Sequence, residues 1–75
     1  NTSTLKTLFK SVYGMPIAAY MKQYRISRAA QLLRDTTHSI ASVAASVGYE
    51  SQSKFTAAFK DIMKMLPTDY RRQHR

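Results

Sequence analysis

Seventy-five residues make one domain at most, too small to enclose a large buried active site. Twelve Lys and Arg against four scattered acids (Asp35, Glu50, Asp61, Asp69) give a formal charge of +8, so an anionic partner is the first expectation. The absence of cysteine excludes a disulfide framework and thiolate chemistry and suits a reducing cytoplasm, and no stretch resembles a signal peptide, a membrane span or a helix apolar enough to lie on a membrane.

Residues 3–13 place Leu5, Leu8, Phe9 and Val12 on one helical face, with Ser3, Lys6, Thr7 and Lys10 on the other, and Gly14 follows as a stop. Pro16 fits the first turn of a second helix, which spacing extends from about Ile17 to Arg34. At about 100° per residue, Ile17, Tyr20, Met21 and Tyr24 cluster near 0°, whereas Ile26, Ala29, Ala30 and Leu33 cluster near about 170°. A helix serving one core keeps one apolar stripe, so this reversal predicts a linker whose halves pack on different lobes. Asp35 to His38 form a polar connection.

From Ser39 to Lys60 the pattern is two short helices joined by a tight turn: Ile40, Val43, Ala44 and Val47 recur at helical spacing, Gly48 interrupts them, and Phe55, Ala58 and Phe59 resume. Gly48 supplies the positive φ such a turn needs, and Ser51 is a candidate N-cap. The second of these helices turns Phe55, Phe59 and Ile62 inward and presents Gln52, Ser53, Thr56 and Lys60 outward, a face without a carboxylate that suits a DNA major groove. After a loop at Lys64 to Leu66, Pro67 begins a last helix, with Asp69 at its positive end and Tyr70 inward. The basic terminus is expected to fray.

Offsetting the chain by fifty residues aligns 3–25 with 53–75, with Ser3/Ser53, Phe9/Phe59, Lys10/Lys60, Met15/Met65, Tyr20/Tyr70, Gln23/Gln73 and Arg25/Arg75 identical. The chain is therefore expected to hold two copies of one unit. The expected fold is all-α, with two helix-turn-helix subdomains joined by a long linker helix. The first subdomain is incomplete: residues 1–24 hold a partial lobe and the start of the linker, and residues 25–75 hold the second lobe.

The run Leu5, Phe9, Lys10, Gly14, then Tyr20, Arg25, Ile26, Ala29, Leu32 and Leu33, then Ile40 to Lys60, then Pro67, Tyr70 and Arg71 resembles the DNA-binding domain of the AraC/XylS family of bacterial transcription regulators. The resemblance spans nearly the whole chain and is most specific from Ile40 to Arg71. It implies that helices at about 3–13 and 51–63 enter successive major grooves on one face of double-stranded DNA. It also implies an activator with RNA polymerase as a partner, and an effector or dimerisation domain outside this chain. By position, base contacts fall on Gln52, Ser53, Thr56 and Ala57 in one unit and on Ser3, Lys6 and Thr7 in the other. Gln52 can pair with adenine, and Thr56 and Ala57 can offer methyl groups to thymine. Lys10, Arg25, Lys54 and Lys60 are read as phosphate contacts.

Two departures from the family carry expectations. Lys64 stands where most relatives have glycine, so it must adopt positive φ or reshape its loop. Relatives also place a helix before the position of Ser3; without it, Leu5, Leu8, Phe9 and Val12 are expected to lack cover, leaving the first lobe frayed or completed by another chain. Phe55, Phe59, Tyr20 and Tyr70 are expected in the core rather than stacked on bases. His38 and His74 lack metal-ligand spacing, and no serine has a base and an orienting group beside it, so neither a cofactor nor catalysis is expected. The competing possibility is a basic helical protein-interaction module, which has no reason to keep two polar faces free of carboxylates.

Overall fold

The computed structural model describes residues 2–74, and over them it forms five helices: α1 (Thr2–Tyr13), α2 (Ile17–Asp35), α3 (Ile40–Ser46), α4 (Gln52–Met63) and α5 (Pro67–Gln73). The Arg25/Arg75 match of the repeat ends outside the described residues. Among the described residues no helix is long and apolar enough to cross a membrane.

The core lies against the second half of α2. Ile26, Ala29, Ala30 and Leu33 are buried there with Val43 and Ala44 of α3, Phe55, Ala58 and Phe59 of α4, and Tyr70 of α5. Small residues at 29, 30, 44 and 58 let the helix backbones approach, and the two phenylalanine rings fill the space between them. The ring of Phe55 lies 5.7 Å from that of Phe59, and Phe59 meets Tyr70 edge-on at 5.5 Å. Each such edge-on pair adds about 0.5–1.5 kcal/mol to the burial of the rings themselves. α5 is fastened to the end of α2 by polar bonds as well. Arg71 Nε donates to the Leu33 carbonyl at 3.2 Å and its Nη2 to the Thr36 carbonyl at 3.4 Å, supplying donors to carbonyls that a helix end leaves without intrahelical partners. The Arg34 guanidinium donates to the Tyr70 hydroxyl.

The repeat reappears in the backbone. Helices α1 and α4 begin and end fifty residues apart, as do the first residues of α2 and α5. Gly14 at φ 73° and Lys64 at φ 64° occupy the same left-handed position after their helices, where Gly14 N donates to Lys10 O at 2.8 Å and Lys64 N to Lys60 O at 2.9 Å. Phe9 meets Tyr20 at 5.1 Å with the rings 71° apart, the counterpart of Phe59 and Tyr70 at 73°.

The first copy is nevertheless much more open. Leu5, Leu8 and Val12 are 54%, 58% and 73% exposed, and only Phe9 on that face is half-buried. Tyr20, expected in the core, is at the surface; it packs its ring on Phe9 and on Tyr13, 5.2 Å away, and remains 36% exposed. Tyr24, on the same side of α2 as Tyr20, is 54% exposed. Tyr13, which the apolar spacing does not single out, joins this ring cluster 4.4 Å from Phe9. Two helix limits also move slightly: Pro16 is the residue before α2, with extended ψ of 149°, and α2 runs to Asp35 because the Thr36 amide still bonds to Leu32 O.

Lys64 resolves its departure by taking the left-handed conformation, which costs a residue with a Cβ about 1–2 kcal/mol. Lys64→Gly removes that strain and returns about half of it as extra freedom of the unfolded chain, so a net gain of about 0.5–1 kcal/mol is expected in urea unfolding. A loss of stability would show that the Lys64 side chain contributes more than its backbone costs.

Candidate nucleic-acid interface

The second helix-turn-helix is built by local signals. Ser39 Oγ accepts from Ser42 N at 3.0 Å to start α3, and Ser51 Oγ accepts from Lys54 N at 3.2 Å to start α4. Between them Gly48, at φ 94°, turns the chain, with its amide bonded to Ala45 O at 3.1 Å and the Tyr49 amide to Ala44 O at 3.0 Å. With Phe55, Ala58 and Phe59 held inward, the opposite side of α4 must face solvent. Gln52, Ser53, Thr56, Ala57 and Lys60 line one open face there, with Thr56 half-buried and the others exposed.

The same stripe on α1 is Ser3, Lys6, Thr7 and Lys10, all exposed. Thr7 Oγ1 donates to the Ser3 carbonyl at 3.0 Å, so its hydroxyl proton is engaged within the helix. Lys6, Thr7 and Lys10 border a groove completed by Pro16, Ile17 and Ala18 at the start of α2. Both stripes lie on a molecule 42 Å long, enough to span two grooves about 34 Å apart along a duplex.

The cations expected at phosphates differ in their surroundings. Among the described residues Lys6, Lys10 and Lys60 form no ion pair, whereas Lys54 lies 3.5 Å from Glu50, one turn before it and outside the stripe. Arg25 belongs to the second lobe's turn rather than to α1: a Cβ added at Gly48 would stand 3.7 Å from its guanidinium carbon. Arg28, which sequence alone did not single out, borders the same groove as Arg25 with Ser46 and Val47; the signal was its spacing of three residues from Arg25 on α2. Lys22 is engaged by Asp61 at 2.7 Å, a contact across 39 residues that no local pattern announces. Among the described residues no three His, Cys, Asp or Glu side chains are grouped as metal ligands.

Two helices paired at a glycine turn, the second carrying an outward polar stripe, with the stripe-bearing helix repeated at the other end of a connecting helix, define a helix-turn-helix DNA-binding domain. The sequence matches the family described as Helix-turn-helix domain over residues 1–73. The chain belongs to that family, in its AraC type. It is 38% identical over 69 residues to the HTH-type transcriptional activator RhaR of Mannheimia succiniciproducens, covering 92% of this chain and 25% of that protein. The C-terminal domain of AraT, a response regulator from Geobacillus stearothermophilus, superposes with a TM-score of 0.95 at 33% identity, covering 97% of this chain and 60% of that one. An AraC-type regulator from Chromobacterium violaceum gives a TM-score of 0.90 at 29% identity over 96% of this chain and 64% of its own. The chain thus spans about a quarter of the length of the curated relative it matches.

Hydrogen bonding and the charge of Lys22 hold the Asp61 carboxyl below its ordinary value of 3.8. A carboxyl depressed in the folded state adds stability above its unfolded pKa and loses it as the pH falls through the folded value. Acid titration of unfolding is therefore expected to show a component below about pH 4 that Asp61→Asn removes, while the two proteins respond alike between pH 5 and 7. Parallel curves throughout would mean the pair is screened away in solution.

Proposed function

We propose that this chain is the sequence-reading domain of a bacterial transcription regulator, binding double-stranded DNA with α4 and α1 in successive major grooves. The observation that carries the proposal is the α4 stripe of Gln52, Ser53, Thr56, Ala57 and Lys60, open to solvent, free of carboxylates and rigidly backed by Phe55 and Phe59. A phosphate backbone rejects carboxylates, and a base edge needs donors, acceptors and methyl groups on a support that does not shift. The likeness to a transcriptional activator supports activation, with RNA polymerase as a partner and with effector sensing or dimerisation in a companion domain. The role is binding rather than catalysis, and it belongs in the cytoplasm, where a bacterial chromosome is found.

Under this proposal Gln52, Ser53, Thr56, Ala57, Ser3, Lys6 and Thr7 touch bases, while Lys10, Arg25, Lys54 and Lys60 touch phosphates. Four phosphate contacts give a slope of log K against log salt of about −4, since each neutralised phosphate contributes about 0.9. A flat salt titration on duplex DNA would overturn the proposal. Gln52→Ala is expected to lose about tenfold of discrimination in one half-site, whereas Lys60→Ala weakens matched and scrambled duplexes alike and lowers the slope by about one. Equal behaviour of the two variants on both duplexes would reverse the division of roles.

A further inference from the structure

Between the two outward stripes runs one edge of α2. Ala18, Met21, Arg25 and Arg28 recur on it at intervals of three, four and three residues, the spacing of a single helical face. At its start Ala18 borders the groove of Lys6, Thr7 and Lys10, so this face opens on the side of α2 that carries the α1 stripe. Further along, Arg25 and Arg28 border the groove of Val47 and Gly48, with the Arg25 guanidinium against the glycine. Gly48 stands three residues before Ser51, the N-cap of α4, whose first turn presents Gln52 and Ser53. One continuous surface therefore leads from the α1 stripe, over the middle of α2, to the α4 stripe. Both arginines on it are exposed and, among the described residues, neither forms an ion pair, although Lys22 on the same helix is engaged by Asp61. Like charges three residues apart on one helical face repel each other, and an anion laid over them relieves that repulsion.

We infer that this edge of α2 is a third DNA contact, in which Arg25 holds a phosphate on the rim of the minor groove between the two major grooves and Arg28 reaches into that minor groove, so that the operator favours an A·T-rich spacer between its half-sites. The inference rests on the DNA-binding role proposed above. Two major grooves on one face of a duplex lie about one turn, ~34 Å, apart, and the minor groove faces the protein midway between them. At 1.5 Å per residue, Arg25 and Arg28 stand about 12 and 16 Å along the roughly 28 Å of α2, close to its middle. A·T tracts narrow the minor groove and concentrate negative potential in it, which attracts an inserted cation. A guanidinium is more weakly hydrated than an ammonium and enters at less cost. A G·C pair instead puts the guanine N2 amino group, a donor, on the floor of the groove, where it meets a side chain that has only donors. Arg25, steadied against Gly48, keeps its place at the rim, and Arg28, about one turn on, is the side chain that enters.

The test uses the chain in its natural polypeptide and a duplex whose two half-sites are first fixed by selection from random sequence. Three spacers are then placed between them: A·T, G·C and inosine·C, the last matching G·C in the major groove and A·T in the minor groove because inosine lacks the N2 amino group. The parent is expected to bind the A·T and inosine·C duplexes alike, about fivefold to tenfold tighter than the G·C duplex. Arg28→Ala, checked for parental helicity by circular dichroism, abolishes that preference and leaves the half-site sequence as it was, while Arg25→Ala weakens all three duplexes alike. An Arg28→Ala loss equal over the three spacers would make Arg28 one more rim contact and overturn the inference. Unchanged binding of Arg28→Ala would overturn it as well, leaving the groove to an acidic protein partner, and so would an inosine·C duplex that behaves as G·C. In each of these cases the selected half-sites stand, and DNA recognition with them; failure to select any duplex would overturn both.

Discussion

Everything in this molecule depends on a single helix that packs opposite faces against different helices at its two ends. α2 has nineteen residues, about 28 Å of helix, and its buried residues are confined to the second half. Because Ile26, Ala29, Ala30 and Leu33 are inaccessible to water, the angle of α2 over the second lobe has no freedom that does not open the core. The other end carries Ile17 and Tyr20 on the reverse face against α1. The separation of the two outward stripes is thus a property of helix geometry and not of a flexible tether.

Within each copy an edge-on aromatic pair does the equivalent task on a smaller scale. Phe59 with Tyr70, and Phe9 with Tyr20, join a stripe-bearing helix to the helix that follows it, with ring angles of 73° and 71°. A left-handed residue, Gly14 or Lys64, follows the stripe-bearing helix in each copy. The outward side chains differ over this shared scaffold, with Lys6 exposed on one stripe and Thr56 half-buried on the other. A duplicated scaffold carrying unlike faces suits a nucleic acid that repeats its backbone regularly while varying its bases.

Charge is distributed to the same end. Three of the four acids, Asp61, Glu50 and Asp69, are engaged by Lys22, Lys54 and Arg72, and all three pairs are solvent-exposed, so they add little to stability. Their larger effect is on the electrostatic surface: they neutralise cations beside the stripes and leave Lys6, Lys10 and Lys60, on the stripes themselves, outside any ion pair among the described residues. Arg71 serves a different purpose, closing the end of α2 by hydrogen bonds to two carbonyls.

The helices, their stops and the fifty-residue repeat were legible in the sequence because each is set by short-range physics: spacing of apolar residues, serine N-caps at 39 and 51, and glycine at 14 and 48. The reversal along α2 and the two stripes were legible for the same reason, as consequences of 3.6-residue periodicity. What local pattern could not decide was how deep each apolar residue lies. Tyr20 and Tyr70 occupy matching positions, yet Tyr70 is 5% exposed and Tyr20 36%, because α5 is packed on α2 as well as α4 while the first copy has only α1 and the start of α2 around its ring. The Lys22–Asp61 pair, the seat of Arg25 over Gly48 and the docking of Arg71 on the end of α2 likewise join residues far apart in sequence. Such contacts exist only once the helices have packed, and tertiary structure alone decided them.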